Sequence, residues 1–282
     1  MELYKIDTGN LKLDGGAMFG VVPKVMWSKK YPADENNLCN WTMRCLLVVD
    51  GERKILIDNG MGEKQDEKFT KHYYLNGEGE LHHSLRKVGY SAEDITDVIL
   101  THLHFDHVGG SVKYDENGEL ALTFPNAKYW TSAAQWEWAL APNRREKASF
   151  LKENILPIQE KGQLFLIEEE GDLFPNVEVR FFDGHTAGQV IPIINYHDKK
   201  IVFMADFLPS TAHIPMPWVM AYDTRPLITM DEKKEFFEEA VNKQYTFFLE
   251  HDLYNECCTL KASERGPMLD KVFPLSDFVS SK

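Results

Sequence analysis

The stretch Val98-Ile99-Leu100-Thr101-His102-Leu103-His104-Phe105-Asp106-His107-Val108-Gly109-Gly110 passes from an apolar run into three histidines and an aspartate, then into two glycines. A short apolar, β-branched run reads as a buried strand, so the polar cluster begins where a strand ends. The paired glycines let the backbone turn sharply there. Neutral imidazoles and a carboxylate are good ligands for zinc and comparable divalent ions. With only 10 histidines in 282 residues, the spacing H-x-H-x-D-H arises by chance with a probability of about 0.001. The motif predicts a metal site.

Strand and helix patterns alternate outward from this point. A first hairpin is expected over Leu3 to Leu13, followed by an irregular region from about Asp14 to Asn40, long enough to suggest a functional loop. Strands follow at Met43 to Val49 and Lys54 to Ile57, joined by the turn Asp50-Gly51-Glu52. Helical patterns cover Glu63 to Lys71 and Leu81 to Val88, and an acidic turn, Ala92 to Thr96, leads into a strand over Asp97 to Thr101. Beyond the motif, helices are expected at Ala133 to Leu140 and Arg145 to Ile158. Strands are expected at Leu164 to Ile167, Val177 to Phe182, Val190 to Tyr196 and Lys200 to Met204, and a helix from Asp231 to Asn242 precedes the strand Tyr245 to Leu249. Such alternation, with hairpins early and late, favours an α+β four-layer αββα sandwich over a doubly wound parallel sheet. No linker or repeat interrupts the chain, which reads as a single domain over residues 1–282.

The composition is globular, 43% hydrophobic and 27% charged, and 44 acidic against 31 basic residues give a formal net charge of −13. An acidic chain is repelled by polyphosphate, so no nucleic-acid partner is expected. Cys39, Cys45, Cys257 and Cys258 show no C-x-x-C spacing, and the adjacent pair cannot readily bridge to itself, which fits free thiols in a reducing cytoplasm. The start, Met1-Glu2-Leu3-Tyr4-Lys5, lacks the pattern of a signal peptide. No apolar run approaches the roughly 20 residues of a membrane helix, so no membrane partner is expected. The oligomeric state is left open, a homodimer being compatible with the sequence.

Taken in order, the motifs resemble those of the metallo-β-lactamase superfamily. To the histidine cluster are added Leu56-Ile57-Asp58-Asn59-Gly60, Phe182-Asp183-Gly184-His185-Thr186-Ala187-Gly188, Phe203-Met204-Ala205-Asp206 and Phe248-Leu249-Glu250-His251-Asp252. The resemblance implies that His102, His104 and His185 hold one metal, that Asp106, His107 and His251 hold a second, and that Asp206 bridges them. Two divalent ions, zinc first with iron or manganese as alternatives, would activate a bridging hydroxide. Asp106 would orient that hydroxide and carry its proton to the leaving group. Asp58, Thr101 and Thr186 stand where they could hydrogen-bond the ligand histidines.

Two segments are too apolar for idle loops: Asp14 to Lys24, and Ser210 to Asp223. In hydrolases of this type such loops rim the site, making Met18, Phe19, Trp218 and Tyr222 expected pocket residues and His213 an expected proton donor or hydrogen-bond partner of a substrate oxygen. The overall pattern is similar to the N-acyl homoserine lactonase branch, which implies hydrolysis of a small ester or lactone. That branch commonly places a tyrosine shortly after the bridging aspartate, where this chain has Phe207-Leu208-Pro209. A glyoxalase II-like thioester hydrolase would want a basic C-terminal patch, and Lys261, Arg265 and Lys271 are scattered. A phosphodiesterase of the same fold is disfavoured by the charge and the lack of an inserted domain, and a secreted β-lactamase by the missing signal peptide and by Asp206. A metal-binding sensor module would be expected to have lost ligands, and none is missing.

Overall fold

The computed structural model describes residues 1–280. Its first element is a 13-residue strand, β1 (Glu2–Asp14), rather than the expected hairpin. Gly9 and Asn10 resemble a turn in sequence, but Gly9 takes a φ of 101° inside the strand while Asn10 forms an antiparallel bridge to Asn76. The region expected to be irregular carries two short helices, α1 (Gly15–Phe19) and α2 (Lys24–Trp27), before β2 (Leu38–Asp50).

The described residues form two compact units, Met1–Leu11 with Thr42–Glu169, and Lys12–Trp41 with the chain from Glu170 onward, so that the chain changes unit within β1, within β2 and after Glu169. In the first, β3 (Arg53–Ile57) follows β2 through a tight turn that pairs Asp50 with Arg53. Next come α3 (Glu67–Thr70), α4 (Leu81–Lys87), β4 (Asp97–Ile99) and α5 (Phe105–Val108). A small hairpin of β5 (Val112–Tyr114) and β6 (Leu120–Leu122) leads to β7 (Lys128–Ser132), α6 (Ala133–Leu140), α7 (Lys152–Glu160) and β8 (Leu164–Ile167). The sheet order is β1-β2-β3-β4-β7-β8, with β3, β4, β7 and β8 parallel. The helix expected from Arg145 begins only at Lys152, because Asn143 caps a tight turn there by accepting from the backbone N–H groups of Arg145 and Glu146.

The second unit adds β9 (Gly171–Phe174), β10 (Val177–Phe182), β11 (Gln189–Tyr196), β12 (Lys199–Phe203), α8 (Pro226–Lys243), β13 (Thr246–Phe248), β14 (Cys257–Lys261), β15 (Met268–Phe273) and α9 (Leu275–Ser280). Its sheet runs β15-β14-β13-β12-β11-β10-β9, antiparallel except for the β12/β13 pair. The edge strands β9 and β15, and β14 beside the latter, were not read from the sequence. β15 is largely exposed, so it lacks the clean alternation that marks a half-buried strand.

Each unit has its own core. Leu47, Leu56, Val98 and Leu100 pack with Tyr129 and Ile155 in the first. In the second, Phe19, Trp27, Tyr31 and Trp41 cluster with Trp218. All four cysteines are buried and none is in a disulfide, and no helix among the described residues is long and apolar enough to cross a membrane.

Glycine is required just after the histidine cluster, where a Cβ on Gly109 would lie 2.0 Å from the Met61 carbonyl oxygen. That neighbour is backbone and cannot swing away. Gly109→Ala should therefore cost about 1–3 kcal/mol, read as a lowered urea midpoint with an unchanged m-value. An unchanged midpoint would contradict this packing.

Candidate metal centre

In the first unit, the parallel pairing of β3 and β4 places Ile57 beside Ile99, and the Asp58 amide donates to the Ile99 carbonyl (2.9 Å). Asp58 then turns into the left-handed region, with a φ of 55°, which aspartate tolerates better than most residues. Its carboxylate accepts from the Thr101 amide (2.8 Å) and from the Thr101 hydroxyl (2.6 Å), so Thr101 Oγ1 is left to accept from His102 Nδ1 at 3.1 Å. His107 Nδ1 donates to the same carboxylate, also at 3.1 Å. Both rings are thereby held as tautomers that leave Nε2 for ligation.

His104 is held the opposite way. Its Nε2 donates to Glu146 (3.1 Å), which assigns Nδ1 to ligation, and Glu146 is itself fixed by Trp138 Nε1 (2.7 Å) and Asn143 Nδ2 (2.8 Å). The His102 ring centroid lies 4.5 Å from that of His104 and 3.9 Å from that of His107. Potential ligand atoms of His102 and His104 lie within 4.8 Å of each other, as do those of Asp106 and His107. His102 and His107 are fully buried, while Asp106 keeps partial exposure.

The second unit repeats the device. β12 and β13 are parallel with Phe203 opposite Phe248, and three residues beyond each partner stand Asp206 and His251, their Oδ1 and Nε2 atoms 2.8 Å apart. Ala205, at a φ of 42°, is the left-handed residue that aims Asp206, a strain of order 1 kcal/mol retained at the site. His185 lies in the loop between β10 and β11, with Nε2 3.1 Å from Asp206 Oδ2 and Nδ1 donating to Asp223 at 3.0 Å. The start of α8 cradles this loop: Glu232 accepts from the amides of Asp183 (2.6 Å) and Gly184 (3.0 Å). Burial opposes a charge on His185, but the Asp206 and Asp223 carboxylates outweigh it and raise its pKa to about 10.

The structure thus brings the expected ligands together within each unit: His102, His104, Asp106 and His107 in one, His185, Asp206 and His251 in the other. Asp58 and Thr101 orient ligands as expected. Thr186 is fully buried beside His185. Glu146, Asp223 and Glu232 were not read from the sequence. Asp223 had a signal, since it is the first charged residue after Asp206, whereas Glu146 sits in an ordinary polar stretch.

The loop residues are more deeply packed than expected. Phe19 stacks on Trp27 (5.0 Å between centroids) and on His213 (4.5 Å). His213, expected as a proton donor, has both ring nitrogens engaged: Nε2–H donates to the Met18 carbonyl (2.8 Å) and Nδ1 accepts from the Ser210 hydroxyl (2.8 Å). Burial lowers its pKa to about 3, so it is a neutral brace between the two apolar loops. Lys233, buried on α8, reinforces that brace by donating to the carbonyls of His213 (2.6 Å), Trp218 (3.1 Å) and Pro215 (3.2 Å). A cavity of about 10 Å³ lies among Asp206, His213, Trp218 and Lys233, far too small for an organic substrate. Tyr222 is exposed, and Phe207 is buried, stacked on Phe182 at 4.1 Å.

Residues 44–251, from the second strand to the last histidine, match the family model described as the metallo-beta-lactamase superfamily. The chain belongs to that superfamily. An N-acyl homoserine lactonase of Bacillus cereus is 27% identical over 268 residues, covering 90% of this chain and 94% of its own. A solved structure described as a probable metal-dependent hydrolase from Staphylococcus aureus has a TM-score of 0.86 at 31% identity, covering 97% and 98% of the two chains. AidC, a dizinc quorum-quenching lactonase solved with the product N-hexanoyl-L-homoserine, shares the fold with a TM-score of 0.80 at 23% identity, covering 96% and 95%. The fold is the α+β type expected from the sequence, and the protein is a hydrolase of this superfamily with a candidate metal site.

Two outcomes follow from the hydrogen bonds around the histidines. Glu146→Gln should weaken the metal bound through His104 by about 10- to 100-fold, measured by chelator competition; unchanged affinity would remove Glu146 from the site's support. In the metal-free protein, His185 is protonated below its raised pKa, so metal must displace that proton. Calorimetric titrations at neutral pH should therefore show heats that vary with buffer ionisation enthalpy, and buffer-independent heats would contradict it.

Proposed function

We propose that the two units work as one dinuclear metallohydrolase that opens a small lactone or ester, with an N-acyl homoserine lactone as the leading substrate class. The observation that carries this reading is the pair of ligand sets, each oriented by buried carboxylates, in a chain aligned over 90% of its length with a lactonase. His102, His104 and His185 would hold one ion, and Asp106, His107 and His251 the other, with Asp206 shared. The chemistry of the set fits zinc, iron or manganese: five imidazoles and two carboxylates, with tautomers fixed from behind. Bound ions would supply Lewis acidity and water activated at neutral pH.

The chain's own residues supply the rest. Asp106, the partly exposed ligand of the first unit, would accept the proton of the attacking water and return it to the departing alkoxide oxygen. Phe207-Leu208-Pro209 carries no side-chain hydroxyl in the stretch after Asp206 where the lactonase branch commonly has a tyrosine, and Asp106 would make that proton transfer. His213 and Lys233 would hold the apolar loops from within, with Met18, Phe19 and Trp218 packed beneath and the exposed Tyr222 left as the residue of these loops that an acyl chain could meet. These residues place binding on apolar contact rather than on charge.

The test is a hydrolysis panel of lactones, thioesters, aryl esters and phosphodiesters with metal-assayed protein. Lactone opening should give the highest kcat/KM and rise with acyl length, and activity confined to phosphodiesters would overturn the substrate assignment. In parallel, Asp206→Ala should lose both activity and one metal equivalent. Two metals retained by elemental analysis would end the bridging role.

A further inference from the structure

Of two adjacent tyrosines in the first unit, Tyr74 is exposed and Tyr73 is turned in. Asp66 caps α3 by accepting from the Phe69 amide (2.8 Å), and the chain leaves the helix in a further turn, where the Tyr73 amide donates to the Thr70 carbonyl (2.9 Å). Tyr74 then takes a left-handed φ of 46° and stays 55% exposed. Tyr73 is half-buried, its ring centroid 4.7 Å from that of Phe105 and 5.2 Å from that of Phe69. Phe105 meets Phe69 edge-on, also at 5.2 Å. Three mutually packed rings hold one another in place.

Phe105 stands between His104 and Asp106 in the chain, and its amide donates to the Ser149 carbonyl (3.0 Å). Tyr73 is thereby packed on the residue that precedes Asp106. Burial and, after it, the Asp106 carboxylate raise the Tyr73 pKa, so the phenol keeps its proton at neutral pH. Its hydroxyl has no hydrogen-bond partner among the described residues. A phenol held rigidly beside a reacting group, with its O–H unused, is pre-organised to donate to an oxygen of a ligand.

We infer, resting on the ester and lactone reading above, that Tyr73 is a catalytic residue whose O–H donates a hydrogen bond to the oxygen that leaves the acyl carbon. It supplies the hydroxyl that Phe207-Leu208-Pro209 lacks. The attacking water gives its oxygen to the acyl carbon and a proton to Asp106. As the acyl C–O bond breaks, its electron pair goes to the departing oxygen, and Asp106 delivers the proton there. Tyr73 keeps its own proton throughout. It stabilises the charge growing on that oxygen, an interaction stronger in the transition state than in the bound substrate.

Tyr73→Phe keeps the packed rings and removes only the hydroxyl, so melting and metal content should not change. With an N-acyl homoserine lactone, kcat should fall about 10- to 100-fold while KM hardly moves. With the matching thiolactone, whose departing sulfur is a weak acceptor, the fall should stay below about 3-fold. Tyr74→Phe should alter neither rate. If the unaltered chain favours aryl esters, an aryl ester and its thioester give the same contrast. Equal losses on oxygen and sulfur substrates, a loss confined to KM, or no loss would overturn the role of Tyr73 and leave the lactone reading intact. An unaltered chain that cleaves no ester or lactone would overturn both.

Discussion

The buried carboxylate of Asp58 is the constraint on which the first ligand set depends. It accepts from the Thr101 amide and hydroxyl and from His107 Nδ1, and through Thr101 it orients His102. A fully buried carboxylate is costly unless its oxygens are hydrogen-bonded, so the residue holds only one arrangement of its neighbours. That arrangement requires the left-handed backbone at Asp58 and the parallel register of β3 with β4. Register, turn and tautomer are therefore fixed together.

The second unit reaches the same end by different means. Its sheet is antiparallel almost throughout, yet the one parallel pair, β12 with β13, is the pair from which Asp206 and His251 emerge. Parallel neighbours send their carboxyl ends the same way, which is why sites gather there in α/β sheets. Asp223 does for His185 what Asp58 does for His107, accepting from the nitrogen that does not ligate. Glu146 completes the pattern at His104. The result is a set of imidazoles whose coordinating atoms are decided before any ion arrives, which lowers the reorganisation a metal must impose.

What could be read from the sequence follows the range of the interactions. The ligand histidines and aspartates stand at the ends of strands whose apolar runs are unmistakable, so their positions were legible, whereas the parallel pairing of those strands was not. Asp58 and Thr101 were legible for the same reason. Glu146 and Asp223 act on histidines 42 and 38 residues away, a distance over which local pattern says nothing. The hairpin expected over Leu3 to Leu13 is one long strand instead, because a glycine at positive φ, Gly9, is absorbed inside it. The apolar loops were recognised as special, but not that Phe19, His213 and Lys233 lock them from within, since a stacked neutral histidine and a buried lysine look like polar surface in one dimension.

The proposed function requires that seven side chains hold two ions. Anomalous diffraction from crystals of the metal-loaded protein, collected at the absorption edge of the bound element, tests it most directly. The account predicts two peaks, one bound by His102, His104 and His185 and one by Asp106, His107 and His251, with Asp206 touching both. A single peak, or peaks away from these residues, would contradict it.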